Sequence, residues 1–387
     1  MQIALLSWES VHSIHVGGLG AHVTELASAL RRCGHEVHVI TRLGPGQTRY
    51  ERIDGVHYHR CPVEPHTDFL IYIRRMCEAF SARLEECERF FDRRFDVIHG
   101  HDWLVTHALV WVKNVMRRPV VLTMHSTEYG RCGNEFWNGQ SRHIRDIEWE
   151  ATYVANRVIC VSGALRDETA RIYDVPLDKM HVVYNGVDLR KFNVRVNRQA
   201  VRRSCYVGRG DPLVLFAGRL ARQKGPDLLM EAIPELLHEH PLAKFVFAGD
   251  GDMRHTLESD AHATSVAYAT RFLGYRTGSD LIGLFKTVDV VCVPSRNEPF
   301  GIVILEAWSA SKPVVATRSG GPGEFIRNGE TGLTVTAEPG AIGAALASTL
   351  ADAPYARRLG TAGRQEAESR FSWDTIARET ETIYAQV

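Results

Sequence analysis

Two carboxylates stand eight residues apart in Pro294–Glu324, PSRNEPFGIVILEAWSASKPVVATRSGGPGE, and this stretch carries the densest chemistry of the chain. Val290–Val293 is a short apolar run ending at Pro294, the pattern of a buried strand entering a loop. A helix is expected from Gly301 to Ser311, where Pro313 stops it. Glu298 then lies on the loop before that helix and Glu306 more than a turn inside it, so one ligand could touch both. The amides of Phe300, Gly301 and Ile302 would open the helix at the positive end of its dipole, a place for an anion. The plainer reading makes Glu298 a cap of its own helix. Gly320 and Gly321, after the next strand, add backbone that could approach a ligand closely.

Three other stretches carry chemistry of the same kind. Gly17 and Gly18, in HVGGLG, stand between the first strand and a helix and leave amides for an anion. This is no dinucleotide fingerprint, because Val23 stands where the third glycine belongs and Thr41-Arg42 replaces the acid of the second strand. Arg42 meeting a 2′-phosphate is the weaker, NADP-binding alternative. The run His99-Gly100-His101-Asp102-Trp103 follows one strand, and His125-Ser126-Thr127 follows the next. A His-x-His pair invites a metal reading completed by His125 and an aspartate. That reading leaves the glycine loop without a role, and neutral imidazoles also serve as hydrogen-bonding groups around sugars. In the second half, Arg219 ends a strand and Lys224 opens a helix, a fork and a point charge able to bracket a diphosphate. Gly249-Asp250-Gly251 ends the following strand, where Gly249 would let a flat base or ribose approach or simply make a turn.

These pieces need a scaffold that ends strands in loops and loops in helices. Short apolar runs alternate with helical stretches throughout, as in parallel sheets covered by helices. Strands are expected at Ile3–Leu6, Val37–Thr41, Val97–His99, Val120–Met124, Val158–Val161 and Val182–Tyr184, then at Leu213–Ala217, Phe245–Gly249, Arg271–Gly274, Val290–Val293 and Val314–Thr317. The polar stretch Leu189–Asp211 reads as a hinge, giving domains at 1–188 and 189–370 and a terminal helical segment at 371–387. The fold class is α/β, with two doubly wound, Rossmann-like domains facing across a cleft.

At 387 residues the chain exceeds one ordinary core, and 46 basic residues balance 46 acidic ones, so no nucleic-acid partner is indicated. Eight scattered cysteines without a CxxC fit reduced thiols, and MQIALLSWES is no signal peptide, so a cytoplasmic location is expected. The amphipathic run Phe69–Phe95 mixes glutamates with its arginines and reads as an ordinary surface helix rather than a membrane-binding one.

In this order, GGLG, HGHDW, HST, NGVD, GR-x4-KG, GDG, SRNEPFGIVILE and SGG resemble the retaining GT-B glycosyltransferases of family 4, and HGHDW and EPFG are also similar to the glycogen and starch synthases. The resemblance runs from Gly17 to about Gly332 and implies a nucleotide-sugar donor as substrate, a carbohydrate or other hydroxyl acceptor, no cofactor and no metal. It implies that Gly18, Arg219 and Lys224 hold the donor diphosphate, that Glu298 binds the transferred sugar and that Glu306 takes the ribose hydroxyls. His125 and Asp102 would lie in the sugar site, and the last helix would return to the first domain. The transferred sugar would be glucosyl and the acceptor an α-glucan. Two departures pull toward other members of family 4, acting on small-molecule or lipid-linked acceptors. His15 replaces the lysine of bacterial glycogen synthases, and Glu306 is a second glutamate they lack. A sugar-nucleotide epimerase or a phosphorylase on the same scaffold is the alternative; no lysine stands out as a pyridoxal anchor.

Overall fold

A computed structural model describes residues 1–14 and 16–387. The reading of His15 as a lost positive charge therefore lies outside the described residues. The chain forms two compact units, one of Met1–Gly186 with Trp373–Val387 and one of Val187–Ser372.

The first unit is built on eight strands: β1 Gln2–Leu6, β2 Glu36–Arg42, β3 Tyr50–Ile53, β4 Val56–Cys61, β5 Val97–His101, β6 Val120–Met124, β7 Arg157–Cys160 and β8 Met180–Val182. Their order is β3-β4-β2-β1-β5-β6-β7-β8, parallel except for β3 against β4. β1, β5 and β6 are buried along their whole length, as strands covered on both faces must be. Ile3, Leu5, Val37 and Val39 pack with Leu26 and Leu30 of the helix Gly18–Arg32 and with Ile376 and Tyr384 of the terminal helix Trp373–Tyr384. The β3–β4 hairpin is an addition to the expected strands. Asp54 and Gly55 turn it with φ of 49° and 85°, both left-handed, as the tight hairpin turn requires. The helix Phe69–Phe91 buries Ile73, Met76, Phe80 and Leu84. It stops short of the expected Phe95 because Asp92 turns left-handed and the Arg93 amide reaches back to the Glu88 carbonyl.

The second unit holds β9 Leu213–Ala217, β10 Lys244–Ala248, β11 Thr270–Gly274, β12 Val290–Val293, β13 Val314–Thr317 and β14 Leu333–Val335, all parallel, in the order β11-β10-β9-β12-β13-β14. Phe216, Phe245, Phe247 and Val290 meet Leu229, Ile233 and Leu346 in its core. The boundary between the units falls at Gly186/Val187, and the stretch read as a hinge, Leu189–Asp211, lies within the second unit. It carries the helix Arg198–Ser204, and Lys286 Nζ ties its Phe192 and Val194 carbonyls at 2.7 and 2.6 Å.

Strand order reverses between β1 and β5 in one sheet and between β9 and β12 in the other. Connections leave such a pair in opposite directions, so a crevice opens beyond the carboxyl ends of the strands. The glycine loop follows β1 and Asp102 follows β5; Arg219 and Lys224 follow β9 and Glu298 follows β12. Among the described residues, no helix is long and apolar enough to cross a membrane.

Candidate active site

In the first unit, the amides that lead into the Gly18 helix are not left open. Glu9, only 3% exposed, turns its carboxylate onto the loop, and Oε2 accepts the Gly17 amide at 2.8 Å and the Val16 amide. Gly17 is thus held by an internal anion, which corrects the expectation that its amide waits for a ligand. Gly18 is exposed and begins a helix of 15 residues that no side chain caps and whose first turn has no acid. Donors at that helix end remain suited to an anion.

Asp102 follows β5 with φ 60° and ψ 176°, a conformation that L side chains rarely adopt and that costs about 1–3 kcal/mol. The strain brings its Oδ1 within 2.7 Å of the His125 amide, while its own amide donates to the Thr123 carbonyl at 2.9 Å. Burial raises its pKa to about 6, opposed by the Arg131 charge and by the amides of His125 and Ser126.

His125 is partly exposed, with its pKa pulled down by burial to about 3, so the ring is neutral at physiological pH. Its Nε2 lies 3.2 Å from His101 Nδ1, and its ring packs edge-on to His22, centroids 4.4 Å apart. Burial holds His22 and His101 well below the usual imidazole range as well, helped by neighbouring histidines. His22 Nδ1 contacts Asn185 Oδ1 at 2.6 Å. His99 packs against His101, centroids 4.3 Å apart, but has Nδ1 on the Tyr384 hydroxyl and Nε2 on Thr123 Oγ1, both at 2.7 Å. With both nitrogens committed it has no lone pair to give, which removes the metal set built on His99.

Beneath His125 lies a buried polar network. Arg131 donates to Ser126 Oγ at 2.6 Å, Glu128 Oε2 at 3.1 Å and Glu148 Oε1 at 2.5 Å. Glu148, fully buried, also accepts the Glu128 amide and the Tyr173 hydroxyl. Burial works against the Arg131 charge, but Glu148, Asp102 and Glu128 outweigh it and push its pKa up.

In the second unit, Lys224 and Glu298 form an ion pair, with Nζ 2.9 Å from each carboxylate oxygen. Ser295 Oγ donates to Glu298 Oε2 at 2.8 Å. Glu298 makes no cap of its own helix, so the plainer reading fails. The loop that carries it is clasped from both sides. The Arg296 amide donates to the Gln223 carbonyl at 2.8 Å, and its guanidinium grips Asp227 at 2.8 and 2.7 Å. The Glu298 amide donates to the Ser319 carbonyl, and the Gly321 amide returns to the Glu298 carbonyl. A Cβ on Gly320 would stand 2.1 Å from the Glu298 carbonyl oxygen, so this glycine has a packing reason, bringing backbone to the loop that carries Glu298. Gly249 has a packing reason of the same kind, since its Cβ would lie 1.8 Å from the Gly218 carbonyl oxygen.

Arg219 is exposed at the end of β9, and its guanidinium makes no hydrogen bond or ion pair with a described residue. The helix after Glu298 is Ile302–Ser309, shorter than expected, because Gly301 takes the left-handed conformation (φ 97°) at its N-cap and Ala310 and Ser311 leave the helical path. Phe300 is buried beside Phe325, centroids 5.1 Å apart, so its side chain anchors the loop in the core. No side chain caps the Gly301 and Ile302 end. Glu306 lies one turn inside, its pKa raised by burial to about 7, with Lys191 opposing.

The fold therefore gathers Asp102 with His125 in one unit and Lys224 with Glu298 in the other. Arg42 is not available as a phosphate ligand. Its guanidinium stacks 3.3 Å from the Trp8 ring centroid, and Nε donates to the Trp8 carbonyl at 2.6 Å. Sequence reasoning missed Glu9, His22, Asn185 and the Arg131–Glu148 pair.

Comparison with known proteins gives the family. Residues 16–191 match the model "Glycosyltransferase Family 4" and residues 198–366 match "Glycosyl transferases group 1". The chain is 38% identical to an uncharacterized glycosyltransferase of Methanocaldococcus jannaschii, over 99% of this chain and 98% of the relative. It is 32% identical to the glycogen synthase of Mycobacterium tuberculosis, over 99% of this chain and 94% of the relative. The solved sucrose-phosphate synthase of Thermosynechococcus elongatus, 23% identical, superposes with a TM-score of 0.82 over 100% of this chain and 99% of that one, which speaks for the fold. The chain belongs to the family 4 glycosyltransferases of the GT-B fold and is similar to the glycogen and starch synthases.

Proposed function

We propose that this glycosyltransferase moves a glucosyl group from a nucleoside diphosphate sugar to a hydroxyl acceptor with retention of configuration. The observation that carries the reading is the end of β9 and β12, where Arg219, exposed and without a side-chain partner among the described residues, the Lys224–Glu298 pair and an uncapped helix N-terminus share one switch point. Cleaving a sugar–phosphate bond leaves negative charge on the diphosphate and oxocarbenium character on the sugar. Arg219 and Lys224 stabilise the first, and in the first unit the Gly18 amide opens an uncapped helix suited to an anion. Glu298, fixed by Ser295, accepts from hydroxyls of the sugar. Glu306 accepts from the ribose, and Gly301 and Ile302 present helix-end amides to an anion. Neutral His125, aligned by Asp102, hydrogen-bonds the sugar near the reacting carbon.

The similarity to a glycogen synthase supports an α-glucan as acceptor, whereas sucrose-phosphate synthase, a structural neighbour, is named for a small-molecule product. Nucleotide release from UDP-glucose, ADP-glucose and GDP-mannose, measured with maltooligosaccharides and with small acceptors, tests the reading. Product anomers assigned by NMR test retention. Absence of glycosyl product with every pair, or inversion, would overturn the corresponding part.

A further inference from the structure

We infer that His22, His101 and His125 form a capture site for a divalent transition metal such as zinc, and that its occupancy switches the transferase off. One ring nitrogen from each lies within 4.8 Å of the other two. The His101–His125 pair is already at 3.2 Å, close to the roughly 3.4 Å edge of a tetrahedron with Zn–N bonds of about 2.0–2.1 Å. The Nε2 atoms of His22 and His101 are buried and meet no partner among the described residues. His22 has the outer support that metal-binding imidazoles use: a proton on Nδ1 donates to Asn185 Oδ1 at 2.6 Å and leaves Nε2 a lone pair. Between His101 Nδ1 and His125 Nε2 one proton is shared. Moving it to the far nitrogen of the ring that carries it, His101 Nε2 or His125 Nδ1, leaves both facing nitrogens with lone pairs, so the ion enters by a tautomer shift with no imidazole deprotonated. Three nitrogens and a water complete four-coordination. His125 is the partly exposed member and gives a path in.

A second histidine cluster fails the same test. His59 and His38 lie beside Cys87, but Arg83 donates to His59 Nδ1 from Nε at 3.2 Å and Nη2 at 2.9 Å. This fixes the His59 proton on Nε2, where a metal would need the lone pair, and sets a guanidinium against the site.

Metal capture follows from the geometry alone; inhibition rests on the role proposed for His125, whose lone pair the ion would take. Cobalt titrated into the full chain should bind at about one per chain with the spectrum of a four-coordinate nitrogen and oxygen site, lacking thiolate charge transfer. His22→Gln should weaken binding at least about 100-fold, and Asn185→Ala by about 10–100-fold. A thiolate band, binding unchanged in His22→Gln, or no binding to the wild-type chain would overturn the site. Zinc should arrest sugar transfer and EDTA restore it. Zinc bound at the histidines with turnover intact would leave the site standing and overturn the inhibition, and with it the role of His125.

Discussion

Lys224 Nζ sits 2.9 Å from both carboxylate oxygens of Glu298. The two residues belong to loops after different strands, and each loop is shaped to reach the other. A Cβ on Gly225 would stand 2.1 Å from the Pro294 carbonyl oxygen, so only glycine lets the Lys224 turn lie against the loop that leads to Glu298. In the proposed reaction Lys224 serves the diphosphate and Glu298 the sugar, so the pair joins the two ends of the bond that breaks.

That relationship predicts non-additive kinetics. Glu298→Gln should lower kcat by about 10²-fold, the scale of losing one preorganised polar contact. Lys224→Met should lower kcat/KM, and the double variant should lose less than the sum, with a coupling of about 0.5–3 kcal/mol. Strict additivity in the double-mutant cycle would show that the pair does not act as a unit.

Arg131 should matter to stability more than any surface pair. It holds Glu148, which is fully buried, together with Glu128 and the Ser126 hydroxyl next to His125. Arg131→Met leaves Glu148 charged without its cation, a change that costs about 3–5 kcal/mol. Replacing both, Arg131→Met with Glu148→Leu, should recover part of the loss. Denaturant midpoints measure this, and a single variant within about 1 kcal/mol of wild type would contradict it.

The motifs at Glu298, His125 and Arg219 stood out because polar groups gather after strand ends, where doubly wound sheets bind ligands. The parallel sheets were legible because strands buried on both faces are apolar throughout. What escaped depends on where the chain returns. Glu9 is an ordinary acid until its loop folds back on Gly17, and His22 has the helical spacing of a plain core residue. Gly249 and Gly320 also meet neighbouring backbone, a need that shows only in the 1.8 and 2.1 Å that would separate an added Cβ from carbonyl oxygens. The β3–β4 hairpin carried its own signal in Asp54-Gly55, a strong turn dipeptide, but His57, His59 and Arg60 hid the strand by their polarity. All three are buried.

Activity should survive chelator. In the proposed reaction Arg219, Lys224 and the uncapped helix end at Gly301 supply the positive field that a cation would otherwise bring to the leaving diphosphate. Turnover lost in EDTA and restored by magnesium or manganese would disprove this; unchanged or increased turnover agrees with it.

Glu306 gives the sharpest dependence on pH. Burial raises its pKa from 4.5 to about 7. In the folded chain it therefore keeps its proton over a range where an unfolded chain has lost it, and its contribution to stability falls as pH rises from about 4.5 to 7. Binding runs the other way. Ribose hydroxyls donate better to an ionised carboxylate, so a nucleoside diphosphate should draw the proton off and lower the Glu306 pKa. Affinity should then climb with pH by up to about tenfold per unit below 7 and level off above it. The ligand's own phosphate titrates in the same range, and Glu306→Gln provides the correction, because the ligand's titration is common to both proteins. The ratio of wild-type to variant affinity, measured by calorimetry from pH 5.5 to 8.5, should rise toward 7 and then stay flat. A ratio independent of pH would mean that the carboxylate does not hold the ribose.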